Sequence, residues 1–313
     1  MSRNPFLTGK AKPIVVGHRG VPLLHQENTL AGFKRALSMG VQAVELDVRL
    51  TRDRRAVVVH DHNLRRLTGS SYDVDHLRWD QIAKLRVRKQ LPMGRDSGGH
   101  QVIREYETEE RIPLLAEVLS ELAGKIAVNI ELKFDMPRWW GIEIAQVVGE
   151  VIRKARAEDT VIVTSFDPRK LHALGQANAN VAFGFCFDDT MLEFARPLLD
   201  RLPRRDDHDL PERGIRANAH RLLNRILESN LVGRILGTRL VGAEHTLVGR
   251  DTVKRLHARG IAIGTHTLFP MGSTTTKALS PAAYTEAEVD RLVGIGVDWI
   301  ESDDPERLLR LIG

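Results

Sequence analysis

Two histidines stand at the ends of apolar runs, and three carboxylates stand in similar places. Ile14-Val15-Val16-Gly17 leads into His18-Arg19-Gly20, and Val57-Val58-Val59 leads into His60-Asp61. Glu45 and Asp47 interrupt Ala43-Val44-Glu45-Leu46-Asp47-Val48, and Glu131 interrupts Val128-Asn129-Ile130-Glu131-Leu132, just before Lys133. Titratable groups at the ends of otherwise buried strands are costly to place. When successive strands all carry them, one shared site at one rim of a sheet or barrel is the economical explanation.

The residue types then suggest a chemistry. Glu45 and Asp47 are two apart, so strand alternation puts them on one face. Neighbouring carboxylates repel unless a cation or a proton lies between them. With Glu131 as a third oxygen donor and no Cys nearby, the set suits one hard divalent cation, Mg²⁺ or Ca²⁺, with Mn²⁺ also compatible, better than Zn²⁺. The plainer alternative pairs these acids with Arg49, Arg52 or Lys133. His18 and His60 can serve as general base and general acid near neutral pH. Phosphodiester cleavage needs such a pair: one takes a proton from the nucleophile, the other protonates the leaving alkoxide. Arg19 and Lys133 suit a phosphoryl oxyanion, which Arg can bind with two parallel hydrogen bonds. Neutralising the acidic cluster is their plainer role, and the two roles are compatible. In Gln26-Glu27-Asn28-Thr29-Leu30, Asn28 or Thr29 can cap a helix, while Glu27 serves either as a ligand or behind the ligands.

These side chains need a scaffold. Strand patterns fall at 14–17, 43–48, 56–60, 126–132, 161–165, 181–187, 239–243, 261–265 and 297–301. Helical patterns run from Thr29 to Met39, Leu114 to Leu122, Trp140 to Arg156, Arg169 to Gly175, Arg250 to Arg259 and Glu286 to Gly294. Gly40, Gly124 and Gly260 follow helix ends, where a left-handed residue is favoured. Alternation of this kind means parallel βαβ units. Nine strands are one too many for an eight-stranded barrel, so one is accessory or misread, and 239–243 is the weakest of them.

Two stretches break the rhythm. Residues 66–112 are polar, with Gly98-Gly99 and a charged run from Arg104 to Arg111, and are too long for a simple loop, so they should fold back over a rim. Residues 188–238 begin with a solvated stretch around Arg204-Arg205-Asp206-Asp207-His208-Asp209. They end in Leu222-Leu223, Ile226-Leu227, Leu231 and Ile235-Leu236, spaced as an amphipathic helix that packs on the barrel or, secondarily, lies on a membrane surface. The expected organisation is a single catalytic domain over 1–313 with these two insertions.

At this point the motifs resemble a known family. His18-Arg19-Gly20, Glu27-Asn28-Thr29, Glu45-Leu46-Asp47-Val48, His60-Asp61 and Glu131-Leu132-Lys133 follow the order and spacing of the glycerophosphodiester phosphodiesterases. Ser165-Phe166-Asp167-Pro168 and Gly296-Val297-Asp298 through Asp304-Pro305 extend the resemblance to residues 14–310, apart from the two insertions. It implies a TIM (β/α)8 barrel and a divalent metal on Glu45, Asp47 and Glu131. It also implies His18 and His60 as the acid–base pair, Arg19 and Lys133 on the phosphate, and hydrolysis to sn-glycerol 3-phosphate and an alcohol. Three features depart from the pattern. Gly264-Thr265-His266-Thr267-Leu268 replaces a frequent aromatic-rich segment, with His266 a candidate pocket residue. Glu301-Ser302-Asp303-Asp304-Pro305 replaces a Thr-Asp-Pro-like ending. The 188–238 insertion is a candidate selector for bulkier, lipid-like alcohols.

Composition narrows the rivals. The chain has 313 residues, a net charge of +5 with Lys and Arg dispersed among acids, and 5% aromatics. A nucleic-acid binder needs a clustered basic stripe with aromatics, so nucleic acid is not expected as a partner. The lone Cys186 lies in an apolar run and needs no oxidising compartment. No secretory h-region and no ~18-residue apolar span appear, so a cytoplasmic location is expected. The substrate expected is a small-molecule or lysolipid phosphodiester, with peripheral membrane contact open. A lysophospholipase D or sphingomyelinase D-like activity on the same barrel is the second reading. A catalytically idle barrel that binds a phosphorylated ligand is the third.

Overall fold

The computed structural model describes residues 4–96, 98–133, 141–188, 224–272 and 280–313. Its strands are β1 (Ile14–Gly17), β2 (Ala43–Leu50), β3 (Ala56–Val58), β4 (Gln90–Arg95), β5 (Gln101–Glu105), β6 (Ala127–Leu132), β7 (Val161–Ser165), β8 (Ala182–Phe187), β9 (Leu240–Glu244), β10 (Ala262–Leu268) and β11 (Trp299–Ser302). Eight of them are parallel and pair in the order β1-β2-β6-β7-β8-β9-β10-β11, with β11 returning to β1. The ring is therefore the expected (β/α)8 barrel.

The surplus strand is not 239–243, which forms β9 and pairs with β8 and β10. It is β3, which runs antiparallel to β2. β1 pairs with β2 only at Ala43 and Val44, which leaves Val48 to Leu50 free on that edge for β3. A β-branched apolar run reads as a strand wherever it lies, so local pattern could not separate an accessory strand from a ring member.

Most helices follow their patterns. The helix Leu30–Ser38 starts at Thr29, whose hydroxyl accepts from Gly32 N–H, and turns Phe33 and Ala36 inward. The helix expected from Trp140 begins at Glu143, runs to Ala155 and ends on left-handed Arg156; Trp140 itself lies outside the described residues. Asp167 and Asp304 cap the helices Pro168–Ala177 and Pro305–Ile312, each with Pro at the first turn.

The barrel interior has an apolar floor of Ile14, Val16, Ala43, Ala127, Ile162, Leu240, Ala262 and Trp299, closed from below by Phe6. The Phe6 and Trp299 rings meet edge to face at 5.5 Å. Gly264 is required here, because a Cβ would fall 1.7 Å from the Trp299 ring. The main core lies between the barrel and its helices.

The 66–112 stretch does cover the rim, but not as a polar loop. Leu67, Val74, Leu77, Ile82, Val87, Leu91, Met93, Tyr106 and Ile112 bury a core of their own with Val57, Val59 and Leu64 from β3 and the turn after it. The β4–β5 hairpin belongs to this unit. The amphipathic run ending at Leu236 is broken, not continuous: Asn230 is left-handed and separates residues 224–229 from the helix Leu231–Leu236. Residues 189–223 of that insertion lie outside the described ones.

Candidate active site

The C-terminal rim of β1, β2 and β6 gathers the residues singled out from the sequence. β2 and β6 run in register, with Glu45 opposite Asn129 and Asp47 opposite Glu131. Alternation then places Glu45, Asp47, Asn129 and Glu131 on one inward face. One oxygen from each of Glu45, Asp47 and Glu131 lies within 4.8 Å of the others.

Glu45 Oε1 is buried and accepts no hydrogen bond. Asp47 Oδ1 and Glu131 Oε1 have Lys133 Nζ at 3.2 and 2.8 Å. Burial, then Asp47, Glu301 and Glu131, pushes the Glu45 carboxyl well above its ordinary range, against the pull of Arg19. Burial also works to raise Asp47, but Lys133 and Arg19 outweigh it and hold Asp47 ionised well below its usual range. An all-oxygen donor set, with one oxygen unbonded and one carboxylate too crowded to ionise easily, fits a hard divalent cation. The acidic groups are placed to hold one. Lys133 is thus both the neutralising partner of the plainer reading and a cation at the site. Arg49 donates to the His60 carbonyl at 2.7 Å.

The turn after β1 is built around Arg19. Arg19 (φ 54°) and Asn28 (φ 59°) are both left-handed. Such strain costs on the order of 1 kcal/mol or more and persists where surroundings enforce it. Asn28 N–H donates to the Arg19 carbonyl at 3.0 Å, Arg19 N–H donates to Glu45 Oε2 at 3.0 Å, and Asn28 Nδ2 donates to Asp47 Oδ2 at 2.8 Å. Gly17 allows the tight return, since a Cβ there would sit 2.3 Å from the Gly20 carbonyl oxygen. The Arg19 guanidinium pairs with Glu27 at 3.1 Å and Asp47 at 3.2 Å.

The histidines arrive from opposite directions. His18 leaves β1 with Nδ1 2.6 Å from Asp303 and Nε2 3.9 Å from Glu45. His60 returns from antiparallel β3, where Val59 N–H donates to the Asp47 carbonyl. His60 Nδ1 lies 2.9 Å from Asp61. Burial, then Arg19 and Lys133, lowers its pKa from the ordinary value of 6.5. Both imidazoles act electrostatically on Asp47. In each, a carboxylate at Nδ1 fixes the tautomer that leaves Nε2 for proton exchange.

His266, on β10, lines a pocket with His18, Glu45, Glu131 and Glu301, and its ring stands edge-on to Phe166 at 6.2 Å. Glu27 is not a member of the carboxylate triad. Arg66 grips it through both oxygens at 2.8 and 2.9 Å, and also grips Asp61 at 2.6 and 3.0 Å. Burial opposes ionisation, but Arg66 and Arg19 lower Glu27 to about 2.

Comparison with known proteins decides the family. Residues 18–307 match the model of the glycerophosphoryl diester phosphodiesterase family. The chain belongs to that family. It is 32% identical over 183 residues to a glycerophosphodiester phosphodiesterase of Caldanaerobacter subterraneus, covering 58% of this chain and 70% of that protein. It is 30% identical over 147 residues to a lysophospholipase D of Rattus norvegicus, covering 47% of this chain and 43% of that one. The chain spans about half the length of several such relatives. The fold of an Oleispira antarctica phosphodiesterase, solved in complex with the product sn-glycerol-3-phosphate, superimposes with a TM-score of 0.65 at 19% identity, over 96% of this chain and 97% of that one.

Within this family member, Asp303 and Arg66 are the residues sequence reasoning did not place at the site. Asp303 is separated from His18 by 285 positions, and no local signal links them. Arg66 lay in a stretch read as a polar insertion. Its neighbours Leu64 and Leu67, in a β-turn-helix pattern after His60-Asp61, were the available hint.

Proposed function

We propose that this family member hydrolyses glycerophosphodiesters, releasing sn-glycerol 3-phosphate and an alcohol. The observation that carries the reading is a triad of carboxylates with His18 Nε2 3.9 Å from Glu45, the Arg19 and Lys133 cations each 3.2 Å from Asp47, and His60 directly after Val59, whose N–H donates to the Asp47 carbonyl. Glu45, Asp47 and Glu131 would hold Mg²⁺, Ca²⁺ or Mn²⁺, which when bound supplies Lewis-acid polarisation of the phosphoryl oxygen.

The remaining roles belong to the protein. Arg19 and Lys133 neutralise charge that builds on the phosphoryl oxygens. One histidine takes a proton from the nucleophile, either water or the substrate's own adjacent hydroxyl. The other protonates the leaving oxygen as its bond to phosphorus breaks. Asp303 and Asp61 orient these rings, and Arg66 holds Asp61 and Glu27 in place. The same site can run a lysophospholipase D reaction, as the name of the rat relative suggests. Among the described residues no helix is long and apolar enough to cross a membrane. A cytoplasmic enzyme acting on a small-molecule diester is the setting this reading assumes.

The test is product analysis on glycerophosphocholine and lysophosphatidylcholine, with and without EDTA. EDTA-sensitive glycerol 3-phosphate supports the main reading. Choline released from the lysolipid alone selects the phospholipase D-like one. Cation binding without turnover of either would sink both and favour an idle barrel.

A further inference from the structure

The loop that follows β10 joins two parts of the molecule that the mechanism above leaves separate. At its base it is pinned to the barrel and its helices. Phe269 N–H donates to the Ala283 carbonyl at 2.8 Å, and the Arg307 guanidinium lies 4.1 Å over the Phe269 ring. The Leu268 carbonyl accepts from the Ser302 hydroxyl at 2.9 Å and from Asp303 N–H at 3.2 Å. At its far end the loop rests on the covering unit of residues 66–112. The Met271 side chain packs against that unit's core. Gly272 lies so close to β4 that a Cβ would fall 2.5 Å from the Met93 carbonyl oxygen and 3.4 Å from Arg95 N.

Between these anchors the loop backbone reaches a group that aims a histidine. Met271 N–H donates to Asp303 Oδ2 at 2.8 Å, while Asp303 Oδ1 lies 2.6 Å from His18 Nδ1. A carboxylate held on one oxygen can turn about its Cβ–Cγ bond, whereas one held on both is fixed in plane. The position of Met271 N–H therefore sets the plane of Asp303 and, through it, the ring of His18. That position is fixed one residue later, where Gly272 meets β4. The atoms it meets are backbone, which cannot swing aside as the end of a long side chain could. A side chain at 272 must push the loop off β4 and carry Met271 with it. Neither Met271 nor Gly272 lines the pocket beside the carboxylate triad.

We propose that Gly272 is a positioning residue for the hydrolysis: its missing side chain lets the β4 backbone seat the loop, so that Met271 N–H holds Asp303 and Asp303 holds the His18 ring. This rests on the diesterase reading and deepens it, because the 66–112 unit then takes part in aiming a catalytic histidine. The effect on rate is large for a small movement. Misplacing a catalytic group by on the order of 1 Å can cost about 10²-fold.

The experiment uses the full chain with Mg²⁺, Ca²⁺ or Mn²⁺ added. It measures kcat and KM on glycerophosphocholine, or on lysophosphatidylcholine if wild type turns over only that. Wild type, Gly272→Ala, Asp303→Ala and the double variant form a cycle. Gly272→Ala should lower kcat roughly 10-fold and leave KM within about 2-fold of wild type, since it moves a catalytic group without touching substrate. In the Asp303→Ala background the same substitution should cost less than about 2-fold, because the link it acts through is already cut. A packing defect alone would cost the same factor in both backgrounds. Should Gly272→Ala fail to fold, Met271→Ala withdraws the side chain from the 66–112 core and keeps the N–H. It should give a smaller loss in kcat, again abolished by Asp303→Ala. Wild-type kcat in Gly272→Ala, a loss carried by KM, or a loss undiminished in the Asp303→Ala background overturns the inference and leaves the diesterase reading intact. Turnover of neither substrate by wild type rejects the diesterase reading itself and takes this inference with it.

Discussion

The lower and upper halves of the barrel interior obey opposite rules. On the inward face of β2, Ala43 belongs to the apolar floor, while Glu45 and Asp47 on the same face belong to the charged rim. Roughly 7 Å of strand separates each from the next. The floor is Phe6, Ile14, Ile162, Leu240 and Trp299, all almost fully buried and tightly fitted, as Gly264 under the Trp299 ring shows. The rim buries carboxylates against each other and leaves Glu45 Oε1 without a hydrogen bond. The floor lowers the free energy of the fold, while the rim spends part of that stability on a site that a ligand completes.

The sharpest way to separate the halves is to damage one at a time. His18→Ala and His60→Ala should each reduce kcat by about 10² to 10⁴, the range for a lost general acid or base, while thermal melts stay near wild type. Trp299→Ala should do the reverse in stability terms, costing about 3 to 5 kcal/mol in urea unfolding by opening a cavity in the floor. If a histidine variant lost that much stability, the division between halves would be wrong.

A subtler cut goes to the residues that position the rim. Arg66→Lys keeps the charge but loses the fork that grips Glu27 and Asp61 together. Its kcat should fall roughly 10-fold with little change in KM, because the substrate contacts remain. A change confined to KM would place Arg66 on the substrate instead.

The smallest expected effect is a titration. Burial and the neighbouring cations depress the His60 pKa, whereas the hydrogen bond to Asp61 raises it. Its imidazole resonances in NMR should therefore titrate with a midpoint below 6.5 in the cation-free protein. Asp61→Asn should move that midpoint further down. For stability the sign follows directly. As pH falls below 6.5 the unfolded chain binds this proton and the native chain resists it, so His60's contribution is lost between the unfolded and the lowered native value. A midpoint above 6.5 would mean that the electrostatics of the rim have been misread.

Much of this division is readable in the residues themselves. Charged groups inside β-branched runs, as at Glu45, Asp47 and Glu131, are conspicuous because burial is costly. The ring strands were found for the same reason, by continuous apolar patterning. What escaped depends on distance along the chain. Nothing near His18 announces Asp303, and nothing near β2 announces that β1 stops early and lets β3 take its edge. The 66–112 stretch looked polar because its buried residues are scattered among charges rather than periodic, although they form a core.

The most direct test is whether a divalent cation relieves the rim. Melting temperatures would be compared for wild type and Glu45→Gln, first in EDTA and then with Mg²⁺, Ca²⁺ or Mn²⁺ added. Removing one of three crowded carboxylates should make the EDTA-treated variant melt above wild type. Added cation should raise the wild-type melting temperature, the reflection of about 2.7 kcal/mol of added stability at a hundred times its Kd, and leave that of the variant nearly unmoved. A variant that melts below wild type in EDTA, or that gains as much from the cation, would contradict the claim that the rim is built to be completed by a metal ion.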